Sequence, residues 1–242
     1  MVTRTVLITG GLGGIGLATA HAFAKERSCI ALVDSRADDG VVCDALRSAG
    51  AEDVVSLVAD VSDEAAVARS VAQTLDRFTS LDVIVNVAGT MIYRPIAELS
   101  ATDWRRLLDI NFVGAALYTG HALREMKTGG CVINIASVHA RRTTPLVAPY
   151  AAAKAALVSL TRSAAIEGKP LGIRVNAILP GAIDTPMLRE SPAIKSGAEV
   201  VHADDIGQPE DIAALACFLA SAAAGFITGE DVVADGGRMG RL

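Results

Sequence analysis

Short apolar runs alternate with longer stretches of helical period along most of this chain. Val6-Leu7-Ile8 ends at Gly10, and Leu17, Ala20 and Phe23 then recur near helical spacing within residues 15–27. Residues 29–33 form the next apolar run, followed by a helical stretch over 38–49 that Gly50 closes. Residues 54–58 predict a third strand, and Ser62-Asp63-Glu64 then opens a helix to about residue 78. Carboxylates there complement the positive end of the helix dipole. Val83-Ile84-Val85 is a fourth strand, and Ser100-x-x-Asp103 predicts the start of one long helix to about residue 126. Residues 131–135 read as a strand and 149–167 as an Ala-rich helix with Pro149 in its first turn. A strand over 174–179, a helix from Pro209 to about residue 221 and a last short strand at Val232-Val233 complete the pattern. Continuous apolar strands alternating with helices predict an α/β fold, a doubly wound seven-stranded parallel sheet with helices on both faces. No Pro/Ser-rich linker, charge block or short repeat interrupts it, so a single domain over residues 1–242 is expected.

Charge and composition narrow the classes of function. The 22 basic and 27 acidic side chains leave a net charge of −5, the wrong sign for a general nucleic-acid binder. Apolar residues make up 51%, so the chain can build a core and is not disordered. Cys29, Cys43, Cys131 and Cys217 form no C-x-x-C pair, and none of His21, His121, His139 and His202 stands at ligand spacing to them. No metal site is expected, and the cysteines read as small buried hydrophobes. The N-terminus has no secretory pattern, and the weakly polar run 212–227, Ala-rich and broken by Ser221 and Gly225, falls short of a membrane span. A soluble cytoplasmic protein in a reducing compartment is the expectation.

The first strand leads into Thr9-Gly10-Gly11-Leu12-Gly13-Gly14-Ile15-Gly16 and then a helix. Glycines let the backbone turn sharply and approach a phosphate, and the helix N-terminus offers unpaired N–H groups to it. A plain glycine-rich turn is the alternative, but this one sits in the strand–turn–helix context that dinucleotide binding needs. Asp34 ends the second strand, where a carboxylate accepts hydrogen bonds from an adenosine ribose and repels a 2′-phosphate. Ser35 beside it is not basic, which favours NAD over NADP; Arg36 is the one feature that argues the other way.

Tyr150-Ala-Ala-Ala-Lys154 places a phenol and an amine one turn apart on a helix face. A nearby ammonium lowers a phenol's pKa and suits it to exchange a proton with an alcohol or carbonyl oxygen. Tyr93 and Tyr118 have alanine at the fourth position on, not lysine.

These residues resemble the classical short-chain dehydrogenases/reductases, over essentially the whole chain. Thr9-Gly10-x3-Gly14-x-Gly16 is similar to the family's cofactor turn, which implies Leu12 and Ile15 among the cofactor-binding positions. Asp60-Val61 matches the segment at the adenine, and Asn86-Val87-Ala88-Gly89 the motif after the fourth strand, with Val87 where an Asn is usual. Asn111 falls in an Asn-Phe-x-Gly stretch, Ser137 ends the fifth strand, and Pro180-Gly181-x-Ile183-x-Thr185 looks like the loop that closes on the nicotinamide.

The resemblance implies a Rossmann fold, an NAD cofactor and the interconversion of a secondary alcohol (a sugar, polyol or other hydroxy compound) and its ketone. It implies Tyr150 as general acid/base and Lys154 as the residue that tunes it and holds the nicotinamide ribose. It implies Ser137 as hydrogen-bond donor to the substrate oxygen and Asn111 as anchor of a proton-relay water. His139, two residues after Ser137, is a candidate substrate contact beside Ser137 and Tyr150. Arg141 and Arg142 are either a lure for an anionic substrate or a solvated basic pair. Leu146 and Val147 are expected at the pocket mouth or simply packed in their loop, and residues 186–207 are expected to cover the substrate. The resemblance also implies a homotetramer or homodimer, joined through the helices at 103–126 and 149–167, where Ala151, Ala152, Ala155 and Ala156 permit close contact, with Val232-Val233 as a second interface. An NADP-linked 3-oxoacyl reductase and a non-catalytic dinucleotide-binding regulator remain the alternatives.

Overall fold

The computed structural model describes residues 3–195, 197 and 201–240. The chain runs β1 (Thr5–Thr9), α1 (Gly14–Lys25), β2 (Cys29–Asp34), α2 (Val41–Ser48), β3 (Asp53–Val58), α3 (Glu64–Phe78) and β4 (Val83–Asn86). It continues through α4 (Ala101–Leu108), α5 (Gly114–Glu125), β5 (Cys131–Ile135), α6 (Ala148–Gly168), β6 (Arg174–Pro180), β7 (Ala182–Ile183), α7 (Pro186–Arg189), α8 (Pro192–Lys195), β8 (Ile206–Gly207), α9 (Pro209–Ala220) and β9 (Asp231–Ala234). Seven strands form one parallel sheet in the order β3-β2-β1-β4-β5-β6-β9, as the apolar pattern predicts.

The central strands are apolar on both sides because both faces are covered. Every residue of β1, β4 and β5 is buried. Val6 and Ile8 pack with Phe23, Leu46 and Ile212 on one face, while Leu7 meets Val67, Tyr118 and Ala122 on the other. The fully buried Tyr118 shares a hydrogen bond with the Ser70 hydroxyl at 2.7 Å, which satisfies its one polar atom. Edge strand β3 is only half buried and carries the more polar Asp-Val-Val-Ser-Leu-Val.

Strand order reverses between β1 and β4. Chain crossovers leave that point in opposite directions, so a crevice opens at the strands' carboxyl ends. The Thr9 hydroxyl accepts from the N–H groups of Val87 at 3.0 Å and Ala88 at 3.1 Å and fixes the two strand ends across it.

Two features differ from the sequence expectation. The long helix is not a uniform one: Asp109–Val113 is a π-turn between α4 and α5, and the Gly114 N–H donates five residues back to Asp109. Asn111 sits inside it and donates to the Leu107 carbonyl at 2.9 Å, competing for the acceptor that regular helix would use. Such wide turns concentrate at functional sites. The covering segment also has structure of its own: β7 and β8 pair as a small parallel ribbon, and α7 and α8 lie between them. Residues 196 and 198–200 of that segment lie outside the described residues.

Candidate active site

A cavity of about 680 Å³ occupies the crevice, walled by the glycine turn after β1, the ends of β2 through β6, and the segment at α7 and α8. Its floor at one end is the turn itself. Gly10 has φ +63°, and a Cβ on Gly16 would stand 2.1 Å from the Gly10 carbonyl oxygen. Only glycine permits that approach of α1 to the turn, and it leaves the helix's first N–H groups facing the cavity. Leu12, Gly14 and Ile15 line the same end.

Asp34, only 8% exposed, points into this region. One carboxylate oxygen accepts from the Leu12 N–H at 3.1 Å, and the other from the Arg36 N–H at 3.1 Å and Nε at 3.2 Å. Arg36 also donates to the Leu12 carbonyl at 3.0 Å, so its guanidinium is folded onto the turn. Ser35 stands at the rim, and Asp60 and Val61 form the neighbouring wall. The Ser62 hydroxyl and N–H, at 2.7 and 2.9 Å, hold the Asp60 carboxyl below its usual range.

At the other end, Ser137, Tyr150 and Lys154 come together from the end of β5 and the first turns of α6. Burial pushes the Tyr150 phenol up to about 12, and a hydrogen bond with Ser137 pulls it back. The Lys154 ammonium lies 5.6 Å from the centre of the Tyr150 ring and donates to the Ile135 carbonyl at 2.8 Å. Desolvation draws Lys154 down to about 8. The expected lowering of the phenol by its neighbouring amine is therefore outweighed here by burial of both groups.

Asn111 and Asn86 do not reach the cavity wall. Asn111, 1% exposed, donates to the Thr90 carbonyl at 3.0 Å and accepts from its N–H at 3.1 Å. A Cβ on Gly89 would lie 2.8 Å from the Asn111 side-chain oxygen and 3.5 Å from Lys154 Nζ, so Asn111 backs the wall directly behind the amine. Asn86 bonds Asn134 at 2.8 Å inside the sheet. The other expected cofactor positions (Ala88, Gly89, Pro180, Gly181, Ile183 and Thr185) all line the cavity. Thr185 closes over the glycine turn, its methyl 2.8 Å from where a Gly14 Cβ would stand.

His139 is in the wall, edge-on to the Tyr150 ring with centroids 5.9 Å apart. Arg141 and Arg142 are both exposed, as a solvated pair would be, and each is also tied to the fold. Arg141 bonds the Asp231 carboxylate at 3.0 Å, Arg162 bonds it at 2.8 Å, and Arg142 donates to the Met239 carbonyl at 2.8 Å. They tie the turn after Ser137 to β9 and the segment behind it. Val147 lines the cavity, while Leu146, at φ +73°, accepts through its carbonyl from the Arg94 N–H at 2.9 Å and joins two loops of the rim. Met187 and Leu188, in the segment expected to cover the substrate, line the cavity, as do Tyr93 and Arg238, which no spacing in the sequence marks.

Lys154 gives a stability prediction. Its pKa near 8 lies below its unfolded value, so folding carries a cost for burying the charge that is full below pH 8. That cost fades as pH rises from about 8 toward 10.5, the ordinary lysine value. Lys154→Met is expected to raise Tm at pH 7 while abolishing turnover, with its advantage shrinking through that window. Thermal melts from pH 7 to 10 check it.

The glycine turn, the buried carboxylate of Asp34 and the phenol–amine pair fit a nicotinamide dinucleotide. The family model described as Enoyl-(Acyl carrier protein) reductase matches residues 10–238. The chain belongs to the short-chain dehydrogenase/reductase family. Cis-4-hydroxycyclohexanecarboxylate dehydrogenase of Sinomonas cyclohexanicum is 38% identical over 240 residues, covering 97% of this chain and 96% of that protein. A dehydrogenase/reductase structure from Sinorhizobium meliloti 1021 superposes with a TM-score of 0.90 at 31% identity, covering 98% and 95% of the two chains. The 3-oxoacyl-[acyl-carrier protein] reductase of Brucella melitensis has a TM-score of 0.85 at 32% identity, covering 97% and 90%. As a short-chain dehydrogenase/reductase, the protein is an oxidoreductase of hydroxyl or carbonyl groups that uses a nicotinamide dinucleotide.

Proposed function

We propose that this short-chain dehydrogenase/reductase is an NAD-dependent dehydrogenase that interconverts a secondary alcohol and its ketone. The observation that carries the reading is Ser137, Tyr150 and Lys154 in one cavity with Asp34 at its far end. Ser137 holds the substrate oxygen and Tyr150 exchanges its proton. Lys154 keeps a positive charge against the phenol ring and holds the nicotinamide ribose, backed by Asn111. When bound, the oxidised nicotinamide supplies the hydride acceptor and a positive charge that draws the phenol's pKa down. The residues that would hold the dinucleotide are the glycine turn, Asp34, Asp60, Val61, Ala88, Gly89 and the loop from Pro180 to Thr185.

Asp34 supports NAD because its carboxylate faces the ribose position and Arg36 is already bonded to it. Like charges placed together cost several kcal/mol. Wild type is expected to prefer NAD⁺ over NADP⁺ by about 100-fold in kcat/KM, and Asp34→Ser to remove most of that preference. NADH and NADPH production, measured side by side over hydroxy acids, polyols, sugars and simple secondary alcohols, tests both cofactor and reaction. A preference for NADP⁺ with 3-oxoacyl thioesters would favour the reductase alternative. Dinucleotide binding with no turnover on any class would favour the regulator. The named substrate of the Sinomonas relative makes alicyclic hydroxy carboxylates the first class to try. A single-domain, cytoplasmic homotetramer or homodimer belongs to the same reading, and exposed Ile166 on α6 and Phe226 ahead of β9 support the association alone.

A further inference from the structure

We propose that Asp231, on the last strand and away from the cavity wall, is a positioning residue: through two arginines it fixes the Ser137 hydroxyl against the Tyr150 phenol. The inference rests on the dehydrogenase reading above and deepens it.

Ser137 and Tyr150 stand on different elements, one just past the end of β5 and the other in the first turn of α6. Their mutual placement must be held across those elements. Apolar packing holds it coarsely: Leu157 and Val158 of α6 cluster with Ala136, Ala177 and Leu179. Such contacts carry no direction. Asp231 adds one. Its side chain is only 8% exposed and takes an arginine from each side. One carboxylate oxygen accepts from Arg141 Nε at 3.0 Å, at the end of the turn after Ser137. The other accepts from Arg162 at 2.8 Å, about three helical turns along α6 from Tyr150. Arg141 also donates to the Asp231 carbonyl at 3.1 Å, so its fork is held at two points. The sheet places Asp231 itself, because β9 pairs with β6 at Ala177 and Asp231, and β6 with β5 at Asn134 and Ala177. A buried carboxylate is costly unless paired, which holds both arginines to it.

The turn passes this placement to the hydroxyl. The Ala140 N–H donates to the Ser137 carbonyl at 3.0 Å and the Arg141 N–H to the Val138 carbonyl at 2.9 Å. Between them the His139 N–H donates to Ser137 Oγ at 3.2 Å. The turn thus fills an acceptor position of the hydroxyl and leaves its hydrogen to be donated outward. That hydroxyl bonds Tyr150 and draws the phenol's pKa down. A turn released from Asp231 re-aims the hydroxyl.

The experiment compares wild type with Asp231→Asn, Arg141→Met, Arg141→Lys and the double variant Asp231→Asn/Arg141→Met, on the alcohol that wild type oxidises best. NADH fluorescence titration counts the folded sites. Per site, kcat is expected to fall roughly 10- to 100-fold in Asp231→Asn and in Arg141→Met, the cost of a misplaced reacting group, with the Kd for NADH unchanged. The double variant should be no slower than the slower single, because both break one link, and Arg141→Lys should recover part of the loss. A pH profile separates aim from stability. Lys154 on α6, His139 on the turn and Tyr93 on the loop after β4 face the phenol and are retained in every variant. Losing the Ser137 bond raises the phenol's pKa, so kcat for alcohol oxidation in Asp231→Asn should reach its plateau at higher pH. Removing the Asp231 anion by itself would move the profile the other way. A variant that is merely less stable loses sites and keeps the wild-type profile. Wild-type kcat per site and pH profile in Asp231→Asn, or additive losses in the double variant, overturn the proposal. With no turnover by wild type the dehydrogenase reading fails, and hydrogen exchange of the His139 and Ala140 amides decides the clasp alone: faster exchange in Asp231→Asn supports it, and unchanged exchange overturns it.

Discussion

Tyr150→Phe is expected to lower kcat by roughly 10²- to 10⁴-fold, the usual contribution of a positioned general acid/base. The phenol is buried at the β5 end of the cavity, hydrogen-bonded to Ser137, and its hydroxyl is the one atom the change removes. Phenylalanine keeps the ring that Lys154 and His139 pack against, at 5.6 and 5.9 Å, so the wall should persist. NADH titration by fluorescence should accordingly give nearly the wild-type Kd. The defect should not be rescued at high pH, because no proton-carrying group replaces the phenol. Turnover within a few-fold of wild type on a good substrate would remove Tyr150 from the chemistry.

Gly16→Ala is expected to be the most damaging single methyl group in the glycine turn. Its Cβ would sit 2.1 Å from the Gly10 carbonyl oxygen and 2.8 Å from the carbonyl carbon, both backbone atoms. The helix must therefore move off the turn. Overpacking of this kind costs about 1–3 kcal/mol, which for a chain of this size lowers Tm by roughly 2–6 °C. The same shift misaims the N–H groups at the start of α1. Losing two hydrogen bonds to a charged phosphate weakens NAD binding by about 100-fold. Gly13→Ala is the internal control, because its Cβ would lie 3.3 Å from the same oxygen and needs only a small adjustment. Equal melting temperatures and equal NAD affinities for Gly16→Ala and wild type would sink the argument.

The sheet was legible because its information is local and periodic. Buried parallel strands must be apolar on both faces, so β1, β4 and β5 announce themselves as continuous runs. The dinucleotide turn was legible for a related reason: close backbone approach excludes every side chain but hydrogen, and the glycines record it. Tyr150 and Lys154 stand one helical turn apart, so a single helix brings both to the same wall. The π-turn was less visible, since one extra residue in a helix barely disturbs an apolar period. Asn111 in mid-helix was the available signal, a polar side chain able to take the Leu107 carbonyl from the backbone.

Sequence alone therefore determined the order of strands and helices, the glycine turn, the carboxylate at the end of β2 and the phenol–amine pair, because each is written in residues close together along the chain. Only the tertiary structure decided which side chains the crevice exposes. It withdrew Asn86 and Asn111 into hydrogen bonds behind the wall, turned Arg141 and Arg142 into struts, and balanced the Tyr150–Lys154 pair by burial rather than proximity alone. It also delivered Tyr93 and Arg238 to a pocket on which their neighbours in sequence give no bearing. The physical reason is that burial, field and cavity shape are sums over segments far apart in the chain, brought together only where the parallel sheet reverses its winding.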